Sequence, residues 1–199
     1  MLLTELTTVA SNALPVQGLK DHLRLGTGFS DSGIQDGLIE TYLRSAIAAV
    51  EGRIGKALLT RRFKLTLPDW RDLSEQALPV APVSSVVSVT LYDVLGAATV
   101  VAANRYTLVQ DTHRPKLGAT GYLLPAVSVD GKIEVVFDAG FGTTWAEVPP
   151  DLQHAVLMLA AQYYERRNQF AETQPGLPYP VQALIERWRI VRVLGGGTA

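Results

Sequence analysis

The chain contains no cysteine, which excludes disulfides, a thiol nucleophile and any cysteine-based zinc site. Its histidines, His22, His113 and His154, stand apart from one another. None forms the HxxxH or HExxH spacing that brings two imidazoles to one metal. No GxSxG turn is present to carry a nucleophilic serine. Charge of one sign is also lacking: 18 Lys and Arg stand against 19 Asp and Glu, a formal net charge of −1. General nucleic-acid binders instead carry a basic surplus. No stretch approaches the roughly 18–20 consecutive apolar residues of a membrane span. Residues 1–15 lack a basic segment and are interrupted by Glu5, so they make a poor signal peptide. These absences leave an expectation of a soluble protein assembled inside the cell, with no legible chemistry and no cofactor.

What the chain does have is apolar material. Hydrophobic residues make up 47% of the 199, enough to bury a sizeable core. The densest stretch is 148–167, VPPDLQHAVLMLAAQYYERR. At helical spacing, Leu152, Ala155, Val156, Leu159, Ala160 and Tyr163 fall on one stripe. Pro149 and Pro150 suit a first turn, Asp151 places an anion at the positive end of the helix dipole, and Arg166 and Arg167 sit at the other end. Leu157, Met158 and Ala161 lie off the stripe, so the helix is apolar around most of its girth. Such a helix must be covered on several sides, by its own domain or by a neighbouring subunit. With Tyr164, those three residues form the candidate subunit-packing set.

The rest of the chain reads in segments. Residues 1–14 are expected to form an extended arm. Pro15 opens a short helix carrying Val16, Leu19, Leu23 and Leu25 on its apolar side. The loop 26–33, GTGFSDSG, has neither a preceding strand nor a following Lys-Ser or Lys-Thr, and so does not read as a phosphate cradle. It reads as a helix stop followed by a cap from Asp31 or Ser32. A second long helix over 34–58 carries Leu38, Tyr42, Ala46, Ala49, Val50, Ile54 and Ala57, with Glu40 and Arg44 as an i, i+4 ion pair. Gly52 and Gly55 within it suggest close packing against another helix. From residue 62 to 138 the period falls from about 3.6 to 2. Strands are predicted at 63–67, 85–93, 106–109, 122–124 and 132–137, with turns at 94–97 and at Asp130-Gly131. Pro79, Pro82, Pro115 and Pro125 break this region into the short pieces of an antiparallel sheet. Trp145 is expected to plug the junction with the following helix. A Pro- and Gly-rich linker then leads to a last helix over 181–193, with Ala183, Leu184, Trp188 and Val191 along one side. The reading is an α+β fold: a helical core of about four helices from residues 1–61 and 139–199, with an antiparallel β region inserted at 62–138.

Two clusters invite a functional reading. Asp69, Asp72 and Glu75 surround Trp70 and could hold a cation, although a solvated loop is the plainer account. Arg187, Trp188, Arg189, Ile190 and Arg192 have the composition of an interface hot spot on a terminal helix. They are the candidate partner-docking residues.

The order of the segments carries a resemblance. LKDHLRL (19–25), YLRSAIAAVEGRIGKAL (42–58), TRRFKLTLPDW (60–70), LPVAPVSSVVSVTLYD (78–93), VVFDAGFG (135–142), the 148–167 helix and PVQALIERWRIVR (180–192) follow one another. In this the chain resembles the head-tail connector (adaptor) proteins of tailed bacteriophages and phage-derived gene transfer agents, the gp6-like and gp8-like group. The resemblance implies a structural virion protein with no enzymatic activity. It implies a homo-oligomeric ring, usually twelve-fold, that joins the portal protein to the stopper or tail-terminator protein. DNA would pass through the lumen of that ring without sequence-specific binding. By the same analogy, the 181–193 helix and the tail would engage the portal. Two alternatives stand beside this reading. One is a tail-completion protein further from the head, and the other is a small-molecule-binding or enzymatic α+β domain.

Overall fold

The computed structural model describes residues 1–25, 35–166 and 176–189. Among them are four α-helices, α1 (Val16–His22), α2 (Asp36–Ile54), α3 (Pro150–Glu165) and α4 (Tyr179–Ile185), and two antiparallel sheets. The fold is α+β, as the sequence predicts.

α3 forms where its stripe demands. Pro149 caps it, Pro150 takes the first turn, and Leu152, Ala155, Val156, Leu159 and Ala160 are all buried. α2 packs along it, but on a face rotated from the predicted one. Ile39, Leu43, Ala46, Ile47, Val50 and Ile54 are buried, whereas Leu38 is 43% exposed. The two candidate stripes share Ala46, Val50 and Ile54. The one with Ile39, Leu43 and Ile47 removes more apolar area from water than the one with Ala49, and it prevails. Leu14 and Leu19 from the N-terminal part, and Val181 and Ile185 from α4, close the helical core.

Gly52 and Gly55 do not mediate close helix packing. A Cβ on Gly52 would meet nothing within 4 Å. Gly55 stands at φ 68°, ψ 29°, a left-handed cap that stops α2 and sends its N–H to Glu51 O. The last helix is also shorter than predicted. α4 ends at Ile185, a 3-10 turn covers Glu186–Trp188, and Arg189 is extended at ψ 143°. Val181 and Ile185 are its buried residues, and Ala183 is exposed. The loop 26–33, with its expected cap at Asp31 or Ser32, and residues 190–193 lie outside the described residues.

The main sheet has the order β1-β2-β8-β4-β5. Its strands are β1 (Leu2–Glu5), β2 (Arg61–Leu67), β4 (Val83–Tyr92), β5 (Ala98–Val100) and β8 (Lys132–Ala139). The N-terminal arm is thus a paired edge strand: Leu2 lies opposite Thr66 and Glu5 opposite Phe63. Alternation puts Phe63, Leu65 and Leu67 of β2 and Ile133, Val135, Phe137 and Ala139 of β8 on the core side. Register shifts between Val83 and Ser85 and between Val86 and Ser88 interrupt the period of β4. β3 (Glu75–Ala77), β7 (Lys116–Ala119) and β6 (Tyr106–Val109) form the second sheet, which closes the same core with Leu117. The strand expected at 122–124 is absent. That segment is a bend in which Tyr122 is 98% exposed, and the strand lies earlier, at β7. Pro115, read from sequence as a breaker, lies just before it, and Gly118 falls within it. A Cβ on Gly118 would rest at 3.5 Å from Val109 Cγ2, an ordinary contact, so the strand does not require glycine there.

The turns at 94–97 and Asp130-Gly131 form as predicted. Asp93 accepts the N–H groups of Leu95 and Ala97 at 2.9 and 2.8 Å, and Asp130 stands at φ 58°. Trp145 packs against the helical core near the junction.

The two glycines of α2 give opposite expectations. Gly52→Ala, in an exposed helix interior, raises stability by about 0.5–1 kcal/mol. Gly55→Ala, at positive φ, lowers it by about 1 kcal/mol. Thermal unfolding of the two variants should show Tm shifts of opposite sign; shifts of the same sign would contradict the cap assignment.

Candidate assembly surfaces

The C-terminal cluster folds back onto its own chain. Asp151, in the first turn of α3, accepts the Trp188 indole N–H at 2.7 Å and pairs with Arg187 Nε at 2.7 Å. Arg187 lies over the Trp188 ring at 4.8 Å, and the Phe141 ring meets that indole edge-on at 5.3 Å. Trp188 therefore clamps the end of α4 to the start of α3. Arg187 keeps an exposed side chain, and Arg189 pairs with Glu186 at 2.9 Å. Ile190 and Arg192 lie outside the described residues.

The outer side of α3 is less open than its composition implies. Ala161 is buried within the chain's own helical core, and Leu157 and Met158 are half-buried against it. Tyr164 meets Tyr42 edge-on at 6.0 Å, and its hydroxyl donates to Gln35 Oε1 at 3.3 Å. Of the four candidate packing residues, Leu157 and Met158 retain an outward apolar face without a ring or hydrogen-bond partner of this kind.

Two buried polar groups had no legible signal in the sequence. Glu51, on α2, accepts the Leu58 N–H at 2.7 Å and pairs with Arg61 at 2.5 Å; Arg61 also reaches Glu5 at 3.2 Å. Burial outweighs both the guanidinium and the N–H and holds the Glu51 carboxyl above its ordinary range. Beside this triad is a cleft of about 140 Å³, lined in part by Val9, Leu14, Arg44 and Ile47. Lys56 is fully buried just past the α2 cap. Its ammonium donates to Thr112 O and lies 3.2 Å from His113 Nδ1. Desolvation lowers its pKa against the pull of Asp111. Asp111 holds that loop by accepting the His113 and Arg114 N–H groups at 2.6 and 2.7 Å. The partners of Lys56 lie some 56 positions away, a distance no local pattern spans.

The acidic group around Trp70 serves its own turns. Trp70 is buried and donates to Pro125 O at 2.8 Å, Asp72 accepts the Ser74 N–H at 2.7 Å, and Glu75 pairs with Lys116 at 2.7 Å. Among the described residues no group of three or more acidic or histidine side chains could hold a metal ion. Charges on the outer face of the main sheet are paired across strands: Arg62 with Asp138 at 2.8 Å, and Lys64 with Glu134 at 3.6 Å. These ion pairs lock local geometry.

No protein-family model matches the chain, and no curated protein matches it. Solved structures do. The chain is 50% identical to one from the neck of an empty GTA particle computed with C6 symmetry, with a TM-score of 0.89. It is 51% identical to one from the virion of a native gene transfer agent (GTA) particle, with a TM-score of 0.87. It is 47% identical to one from the neck of a native GTA particle computed with C12 symmetry, with a TM-score of 0.84. Each alignment covers 98% of this chain and 99% of the other. Agreement of this extent defines a structural neck protein of the head-tail connector class. The chain belongs to the neck proteins of gene transfer agents.

Two measurements probe this geometry. Asp151→Ala leaves the Trp188 indole N–H and Arg187 without their acceptor and costs about 2 kcal/mol. Hydrogen exchange should then lose protection first in 179–188; protection equal to the parent chain would refute the clamp. Because the Glu51 pKa is raised above 4.5, its contribution is complete below that value and is lost as pH rises through the raised pKa. Glu51→Gln removes this titration. Urea unfolding should show the parent losing stability relative to the variant as pH climbs above about 4.5; parallel curves would contradict the assignment.

Proposed function

We propose that this chain is the adaptor of the particle neck: a cyclic homo-oligomer, twelve-fold by the reading above, that joins the portal to the stopper or tail proteins and continues the DNA channel. It acts in the virion, is assembled in the bacterial cytoplasm, and performs no catalysis. The observation that carries this reading is the near-full-length similarity to chains from GTA necks treated with C6 and C12 symmetry. The near-neutral net charge of −1 supports it as well. A conduit must let DNA slide, and many free Lys or Arg contacts would hold the phosphates. An enzymatic reading would call for convergent polar groups free to meet a substrate; in the cleft beside Arg61 those groups face one another.

The docking role belongs to the segment beginning at Arg187. Trp188 is clamped to α3 through Asp151, and Ile190 and Arg192 follow it within a few residues of sequence. We assign portal contact to Arg187, Arg189, Ile190 and Arg192, with Trp188 as the anchor that aims them. Leu157 and Met158 are assigned to contacts between subunits.

Mixing the protein with the cognate portal should give ring-on-ring complexes by electron microscopy. A monomer that ignores the portal but binds a tail protein would favour the position further from the head. Truncation after Arg189 keeps Val181, Ile185 and Trp188 in place, so the domain should remain folded while portal attachment weakens by an order of magnitude or more. Unchanged attachment would remove the docking role.

A further inference from the structure

Among the described residues, the main sheet ends in two edge strands with no further strand beside them. β1 is exposed along its whole length, with Leu2 at 63%, and Leu6 beyond it is also exposed. β5 is exposed throughout, with Val100 at 69%. Edge strands in soluble proteins are normally blunted by lysine, proline, bulges or inward charges, because their free N–H and C=O groups invite pairing. β1 (LLTE) carries neither lysine nor proline, and its one charge, Glu5, is tied to Arg61. β5 (ATV) carries no charge at all.

The register relates these edges to one another. Leu2 lies opposite Thr66, Thr66 opposite Glu134, Glu134 opposite Thr90, and Thr90 opposite Val100. Directly opposed residues share a face of the sheet, so Leu2 and Val100 stand at the two ends of one row, at the same level and on the same face. All four pairings are antiparallel, so β1 and β5 run in the same direction. A head-to-tail contact in a closed ring needs two different patches on one chain and no rise from one subunit to the next. Edges matched in level meet both conditions when the ring axis lies along the strands.

We propose that β5 of one copy packs beside β1 of the next as a parallel strand pair, with Val100 against Leu2, and that this seam is a subunit contact of the ring. The occupant of each edge is a second copy of this chain. The inference rests on the ring reading above and names the surface that builds it. It also explains where the exposed apolar side chains have gone, since Ala161 and Tyr164 of α3 are engaged within the chain. β5 has only three residues, so the pair contributes register and direction, with Leu157 and Met158 adding apolar contact elsewhere.

The absence of native cysteine permits a direct test with the double variant Leu2→Cys, Val100→Cys. Within one subunit the two positions are four strand spacings apart, roughly 19 Å, too far for a disulfide, whereas neighbouring strands stand about 4.8 Å apart. Both sites are exposed, so the substitutions leave the core intact. The variant is assembled with the cognate portal, rings are confirmed by electron microscopy, and the sample is oxidised and run on a non-reducing gel. The expected result is a ladder of covalent multimers extending to ring size, absent from either single variant. Rings without a ladder would overturn the seam while leaving the adaptor reading intact. Failure to form rings with the parent chain would remove both. If the parent forms rings and the double variant forms none, while Leu2→Ser and Val100→Ser each assemble normally, the seam is likewise refuted, because its side chains would be dispensable.

Discussion

The molecule depends on how closely two stretches of backbone approach each other, at 57–60 and at 140–142. Thr60 N–H donates to Gly142 O at 2.8 Å, Phe141 N–H to Leu58 O at 3.2 Å, and Gly140 N–H to Pro82 O at 2.9 Å. Gly140 stands at φ 145°, and a Cβ there would come within 2.4 Å of Thr60 N; only glycine fits. The chain leaves the helical core and returns to it at this one place. Ala57 belongs to the β core, while Leu58 and Leu59 belong to the helical core. Phe141, delivered by this approach, supplies the edge that receives the Trp188 ring. The geometry of the C-terminal segment is thus set by a backbone contact far from it in sequence.

Periodicity made much of this legible. The stripe of α3, the strands β2, β4, β6 and β8, and both predicted turns follow from apolar spacing and turn chemistry, because one face of each element meets a large common core. The resemblance to head-tail connectors was legible for a different reason, the order of whole segments. Sequence reasoning failed where two patterns compete or where the decisive partner is remote. Two stripes overlap on α2, and only packing against α3 selects between them. Gly55 reads as a helix residue until its left-handed cap is seen. β7 is hidden because Pro115 just before it looks like a breaker and the strand is only four residues long. Composition marked Trp188 as an interface aromatic, but its first partner is Asp151 of the same chain. Glu51, Arg61 and Lys56 carry no motif, since their meaning lies in who faces them.

These features suit a part whose work is to hold position. Charges on the outer face of the sheet are matched in pairs. The buried carboxylate and ammonium are each tied to backbone as well as to a side chain. The buried side chains fall into two clusters, one helical and one of β structure, that meet at 57–60.

The meeting of residues 57–60 with 140–142 also bears on how the chain folds. α2 and α3 must find each other across roughly a hundred intervening residues, and closing a loop of that length is entropically unfavourable. The β region holds its own two ends side by side through the β2–β8 ladder, with Arg61 opposite Ala139. Once that ladder forms, the effective loop between the helices shrinks to a few residues on either side. The ladder itself closes a loop nearly as long, so sheet and helical pair share one closure, and a lesion in β2 or β8 is expected to hinder helix docking even when no helical contact is touched.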